Sequence, residues 1–279
     1  MEYLDHEKVL ALLPDRKEEA HKGNFGRVLL LCGSLGYTGA PALAARGALR
    51  TGAGLIYLGV PEKIYAIEAV KLDEPMVFPL PCKAGMLSEE ALPEILERLG
   101  TMDVCLMGPG LGQSPGVEAV VRAVVRSFRG PLVLDADGIN VMAPHKNELC
   151  GRAGPLVLTP HPGEFRRLGG DPEDRQKSAE AMAGELGAVV LLKGHRTLIT
   201  DGNRTYCNTT GNPGMATGGS GDVLSGMILS LLGQGLAPLE AAAAGAWLHG
   251  AAGDLAARRL GQYAMTPTDL LTDLPQLLK

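Results

Sequence analysis

The sequence is poor in aromatic residues, 4% of 279, and has no extended run of Lys or Arg. Its 26 Lys and Arg stand against 31 Asp and Glu, a formal charge of −5, so it lacks the basic footprint of a nucleic-acid or anionic-membrane binder. Cysteine is scarce and odd in number: Cys32, Cys82, Cys105, Cys150 and Cys207 lie far apart, mostly in apolar runs. That spacing argues for buried, reduced thiols rather than disulfides or a metal cluster, and points to the cytoplasm. Met1-Glu2-Tyr3-Leu4-Asp5-His6-Glu7 is acidic and polar, where a signal peptide is basic and then apolar. A long uncharged apolar stretch, residues 223–239, carries Ser225, Ser230, Gln234 and glycines, and reads as a buried helix and turn rather than a membrane span.

What is present is apolar and punctuated. Hydrophobic residues make up 46% of the chain, and 38 Gly and 19 Pro separate the apolar runs without forming a low-complexity tract. Continuous Val/Ile/Leu runs recur at 27–32, 55–60, 76–80, 104–107, 132–135, 156–159 and 188–193. Such runs, with helical stretches at 40–50, 88–99 and 174–186 between them, predict parallel strands buried on both faces. Residues 197–200 and 204–207 flank Asp201-Gly202-Asn203, a tight-turn sequence that predicts an antiparallel hairpin. From Val223 onward, helical spacing, the Ala-rich stretch 239–259 and Thr266-Pro267 predict a helical end. The expected fold is α/β: a single doubly wound, mainly parallel sheet flanked by helices over residues 1–279, with a hairpin near the sheet edge and a helical C-terminal third. Gly245, Gly250 and Gly253 permit the long helix to pack closely, inside the fold or against another subunit.

The strongest motif is the glycine-rich segment 208–222, ending Gly218-Gly219-Ser220-Gly221-Asp222 before the apolar helix expected from Val223. Glycines leading into a helix N-terminus expose unpaired N–H groups and the positive helix end, which together bind phosphate. No Lys follows the glycines, so the loop is not a Walker A loop. A carboxylate at the mouth repels phosphate and is better used to accept a proton from a hydroxyl beside it, so Asp222 is read as the general base rather than as a helix cap. Gly108-Pro109-Gly110-Leu111-Gly112 ends a strand where open α/β sheets bind ligands, although a plain turn explains it equally well. Thr159-Pro160-His161-Pro162-Gly163-Glu164 offers His161 for substrate contact, while His161 and Glu164 alone make a poor metal site. Asp135 and Asp137 end another strand as carboxylates for magnesium, substrate or a turn, and Lys193-Gly194-His195-Arg196-Thr197 presents donors to a nucleotide. His6, His21 and His145 read as surface residues and His249 as a hydrogen-bonded helix residue.

Together with Gly33-Ser34 and Gly39-Ala40, these motifs resemble the ADP-dependent NAD(P)H-hydrate dehydratases of the ribokinase-like superfamily, over about residues 22–262. The Thr-Pro-His-Pro-Gly-Glu string separates that family from the sugar and vitamin kinases. The resemblance implies dehydration of the S epimer of C6-hydrated NADH or NADPH, with ADP consumed to AMP and phosphate and magnesium assisting. It implies that Ala40, Gly110 and His161 contact the hydrated nicotinamide nucleotide and Asp222 its hydroxyl. Lys193, Gly194, His195, Arg196, Thr197 and Gly221 would meet the adenine nucleotide, with Gly218, Gly219 and Ser220 of the anion loop. It further implies a homo-oligomer, a tetramer, working with a separate epimerase, since the short stretch before the first strand leaves no room for a fused one. Eukaryotic relatives use ATP, and no residue decides between the two donors. Two other readings use the same loop: a small-molecule kinase of the hydroxymethylpyrimidine or hydroxyethylthiazole type, and a nucleotide sensor without catalysis, which would gain nothing from Asp222.

Overall fold

The apolar runs are strands, and both faces of the sheet they form are covered by helices. The computed structural model describes residues 1–279. Its strands are β1 (Arg27–Leu31), β2 (Leu55–Pro61), β3 (Met76–Leu80), β4 (Cys82–Lys83), β5 (Met86–Leu87), β6 (Val104–Met107), β7 (Leu132–Leu134), β8 (Leu156–Leu158), β9 (Val189–Leu192), β10 (Leu198–Thr200) and β11 (Thr205–Cys207). Nine of them form one sheet in the order β11-β10-β9-β8-β7-β6-β1-β2-β3, and β4 pairs only with β5. Pairing is parallel from β3 to β9 and antiparallel through β10 and β11, the expected hairpin edge.

The helices are α1 (His6–Leu12), α2 (Gly39–Arg50), α3 (Glu62–Lys71), α4 (Leu92–Leu99), α5 (Pro115–Ser127), α6 (Asp137–Met142), α7 (Pro162–Arg167), α8 (Arg175–Leu186), α9 (Ser220–Gly233), α10 (Pro238–Leu260) and α11 (Pro267–Asp273). Strand side chains alternate between two cores, because successive residues point to opposite faces. Val28, Leu30, Val104 and Leu106 meet α2, α9, α10 and α11 on one face. Leu29, Leu31, Cys105 and Met107 meet α4, α5 and α8 on the other.

Several boundaries differ from expectation for local reasons. The segment expected as a helix over 88–99 begins with a 3-10 turn, Glu89–Ala91, and becomes α-helical only at Leu92, next to Pro93. The final helix opens as expected, with Thr266 and Asp269 closing a capping box. Cys32, Cys105 and Cys207 are buried thiols, whereas Cys82 is half-buried and Cys150 is exposed. His145 is half-buried, its Nε2 2.8 Å from Glu118 Oε1, rather than a free surface residue. No helix is long and apolar enough to cross a membrane.

Both sheet edges are guarded. At β11, the Glu2 N–H donates to the Thr205 carbonyl (2.8 Å) and the Cys207 N–H to the Glu2 carbonyl (2.9 Å). At the other end, β3 carries Pro79, which has no N–H to offer a further strand.

Glycine lets α2 and α9 touch backbone to backbone. A Cβ on Gly47 would stand 2.5 Å from the Val223 carbonyl oxygen, and one on Gly226 would overlap the Ala44 carbonyl. Gly245 of α10 packs on Ile228 of α9, while Gly250 and Gly253 face Thr210 and Met215, so the glycines of the long helix are used inside the fold. Gly226→Ala is expected to lower unfolding stability by about 1–3 kcal/mol through overpacking, despite alanine's better helix propensity. Urea unfolding measures it, with Gly184→Ala, an α8 position where a Cβ meets nothing within 4 Å, as the control that should not fall.

Candidate active site

The order of strands places a crevice between β1 and β6, where the winding of the sheet reverses and ligands bind at strand C-termini. The two loops there are stitched together: Gly33 N–H donates to the Pro109 carbonyl (2.8 Å) and Ser34 Oγ to the Gly110 carbonyl (2.8 Å). Gly110 has φ 65°, a left-handed conformation glycine adopts without penalty. A Cβ there would lie 3.0 Å from Ala40 Cβ and 3.1 Å from Tyr37 Cβ. Ala40 and Gly110, 70 positions apart in sequence, thus form one wall. Asp137 serves the loop rather than a ligand: its carboxylate accepts from the Gly112 N–H (2.8 Å) and from Gln113 Nε2 and Asn140 Nδ2 (both 3.4 Å).

The ends of β7, β8 and β9 gather a charged cluster. Lys193 Nζ lies 2.8 Å from Asp135 Oδ1 and 3.9 Å from Glu164 Oε2, and Asp135 is 1% exposed. A Cβ on Gly221 would sit 3.4 Å from Lys193 Nζ and 4.0 Å from Asp135 Oδ2, so the cluster lies directly beneath the start of α9. Lys193 is turned inward to these carboxylates, while Gly194, His195 and Arg196 form an exposed loop. Arg175 props that loop by donating to the His195 carbonyl (2.8 Å), and Thr197 Oγ1 closes it on the Gly194 carbonyl (3.0 Å).

His161 caps α7. Its Nδ1 accepts from the N–H groups of Gly163 (2.9 Å) and Glu164 (3.3 Å), and its own N–H donates to Glu164 Oε2 (2.8 Å). The side chain is 50% exposed, with Nε2 3.2 Å from Glu164 Oε1. No three His, Cys, Asp or Glu side chains are arranged to hold a metal ion.

The glycine loop differs from expectation in one respect. α9 starts at Ser220, three residues before Val223, with Gly219 (φ 93°) as N-cap and no side-chain capping bond. Asp222 is therefore the third helical residue, not the cap. The N–H groups of Gly218, Gly219, Gly221 and Asp222 donate to no protein acceptor, the arrangement that binds anions. The Ser220 hydroxyl turns away to His249 Nε2 at 3.3 Å. Burial, reinforced by the negative charge of Asp135 and opposed by Lys193, pushes Asp222 up to about 6. Burial also raises Glu164, partly offset by Lys193. Burial works to lower Lys193, but Asp135 and Glu164 prevail and hold it above its usual value.

The arrangement combines an anion cradle, a half-buried lysine and a carboxylate with a raised pKa in one crevice. The family profile that describes NAD(P)H-hydrate dehydratases matches residues 28–276. The chain belongs to this family. It is 51% identical over 275 residues to the bifunctional NAD(P)H-hydrate repair enzyme Nnr of Moorella thermoacetica, covering 96% of this chain and 52% of that protein. It is 31% identical over 281 residues to the ADP-dependent (S)-NAD(P)H-hydrate dehydratase of Listeria monocytogenes, covering 100% and 97%. The chain thus spans about half the length of the bifunctional relatives it matches. Among solved structures, the ADP/ATP-dependent NAD(P)H-hydrate dehydratase of Bacillus subtilis, co-crystallized with ATP/Mg2+, superposes with TM-score 0.82 at 31% identity, covering 98% and 96%. A ribokinase-like superfamily protein of Enterococcus faecalis gives 0.87 at 29%, covering 99% and 94%.

Glu164, Asp135 and His249 lie against Lys193 and the start of α9, and sequence reasoning left them without a firm role. Glu164 stood inside a quoted motif. The Asp135–Lys193 pair spans strands whose neighbourhood no local pattern reveals.

Two outcomes follow for family members with this cluster. Because Asp222 is raised in the folded chain, its ionisation destabilises the fold fully above about pH 6 and not at all below its unfolded value. Asp222→Asn should therefore raise denaturation midpoints at pH 8 and leave them unchanged near pH 3. Lys193→Met should cost about 3–5 kcal/mol at pH 8 by leaving Asp135 buried without its partner, read from the same unfolding curves.

Proposed function

We propose that this chain dehydrates the S epimer of C6-hydrated NADH or NADPH, with ADP as phosphoryl donor and AMP and phosphate as products. The observation that carries the reading is the unpartnered Asp222 carboxylate, raised to about 6, beside four free backbone amides. Hydroxide is a poor leaving group, so the ring hydroxyl must first become a phosphate ester. Asp222 accepts the hydroxyl proton as its oxygen attacks the β-phosphorus of ADP, and the bond from that phosphorus to the bridging oxygen of AMP breaks. The amides of Gly218, Gly219 and Gly221 neutralise charge on the phosphoryl group in transit. The ring nitrogen's lone pair then expels phosphate from C6, and loss of the C5 proton restores the dihydronicotinamide.

The wall of Ala40 and Gly110, with the exposed face of His161, suits the nicotinamide nucleotide, and the loop from Gly194 to Thr197 suits the adenine nucleotide. Lys193 contributes positive charge from below the loop rather than by direct reach. Magnesium enters with the nucleotide: Mg2+ is held by one or two carboxylates plus substrate phosphates, and no three His, Cys, Asp or Glu side chains gather to hold it without those phosphates. In the same reading the 279 residues act as one ribokinase-like unit, assemble as a homo-oligomer, a tetramer, and depend on an epimerase carried elsewhere for the S epimer.

The test mixes the purified chain with hydrated NADH, magnesium and ADP or ATP and follows the reduced-nicotinamide absorbance. Recovery is expected with ADP, and Asp222→Ala should slow it about 10²–10⁴-fold. The kcat/KM profile should rise with pH through about 6 and level off above, as the base loses its proton. A persistent phosphate ester with no absorbance recovery would replace this reading with the kinase one.

A further inference from the structure

We propose that His249 is a positioning residue for nucleotide binding: from the buried face of α10 it anchors Ser220, the first residue of α9, so that the free amides around it converge on phosphate. The inference rests on the glycine loop being the nucleotide site.

The loop has little structure of its own and borrows its shape from α10. Asn208 Nδ2 donates to the Ala246 carbonyl (3.1 Å), Thr210 Oγ1 to the Trp247 carbonyl (2.9 Å), and the Gly211 N–H and Asn212 Nδ2 to Asp254 (both 2.9 Å). Gly250 and Gly253 let Thr210 and Met215 lie against the helix. Residues 246, 247, 250, 253 and 254 recur at helical spacing, so one face of α10 is the template for the segment 208–215. These contacts stop at Met215. Between them and the amides of Gly218, Gly219, Gly221 and Asp222, the side-chain tie back to α10 is His249 Nε2 to Ser220 Oγ, 3.3 Å, with both residues buried.

The chemistry of the ring suits an anchor. Burial pushes His249 down to about 4, against the effect of a hydrogen bond to the Ser220 backbone, so the imidazole is neutral at physiological pH. The Ser220 hydroxyl oxygen lies 3.3 Å from its Nε2, a pair in which the hydroxyl can donate to the ring or accept from it. The neutral ring holds the Ser220 hydroxyl in place and adds no charge of its own beneath the loop. Asp222 lies two residues further along, so the same anchor sets where the general base stands.

The test is magnesium–ADP binding by titration calorimetry together with steady-state kinetics. His249→Ala should weaken ADP binding by about five- to tenfold, the range for one lost neutral hydrogen bond, and lower kcat as Asp222 drifts. His249→Gln, which keeps a donor at the same reach, should restore ADP binding to within about twofold. Ser220→Ala should match His249→Ala, and the double variant should be no worse than either, the coupling expected of one shared bond. Nitrogen-15 spectra of the histidines in the wild-type chain should show His249 neutral and held in a single tautomer, a readout that needs no variant to fold. Unchanged ADP affinity in His249→Ala, additive losses in the double variant, or a His249 ring that averages between its two tautomers would each overturn the proposal. A chain that binds ADP with these responses yet restores no NADH would uphold the anchor and overturn the dehydratase reading instead.

Discussion

The site depends on how closely α2 and α9 approach. Both begin at the C-terminal edge of the sheet, and their crossing brings Gly47 onto Val223 and Gly226 onto Ala44 with no side chain between. That contact fixes two distant pieces of sequence against each other: the start of α2, with Ala40 in the crevice wall, and the start of α9, with the amide cradle and Asp222. A bulkier residue at either glycine would separate the helices by the thickness of a side chain. Asp222 and the wall of Ala40 and Gly110 would then no longer share a crevice, whatever their own side chains.

Within the crevice the charge inventory is unequal. Three carboxylates, Asp135, Glu164 and Asp222, face one ammonium, that of Lys193. Burial displaces Glu164 and Asp222 toward protonation, and Lys193, which pairs most closely with Asp135, offsets this only in part. A site built to receive phosphate normally shows surplus positive charge. Here attraction for an anion is left to backbone dipoles, and on the proposed function to a cation bound with the nucleotide, so the protein keeps a carboxylate basic enough to take a proton near neutral pH. Replacing Lys193 or Asp135 would disturb that balance as well as the packing beneath it.

The sheet was legible because parallel strands buried on both faces read as unbroken apolar runs, and the β10–β11 hairpin because Asp201-Gly202 announces its turn. Strand order was not, since nothing local tells β6 to lie beside β1 rather than β3; the pairing of Asp135 with Lys193 was hidden for the same reason. The start of α9 was placed late because Gly-Gly-Ser-Gly has poor helix propensity and the apolar period begins only at Val223; packing on α2 and α10 overrides both. α6 and α7, six residues each, are too short to show a period. α5 passed unnoticed even though Ser114 accepts from the Val117 N–H as its N-cap and Pro115 opens it. The glycine-rich motif and its Asp were visible because anion binding at a helix N-terminus requires a particular local sequence, whereas His249 was not, because its role exists only across two packed helices.

The two ends of the sheet carry a consequence for how the chain meets copies of itself. One border strand is occupied by the backbone of Glu2, and the other contains Pro79, so neither presents an uninterrupted ladder of donors and acceptors to a stranger. Self-association by adding strand to strand is thereby discouraged at both borders. Any multimer of the folded chain would have to be built from side-chain surfaces, whose shape and charge can be selective, rather than from the generic hydrogen bonding that also drives fibrils.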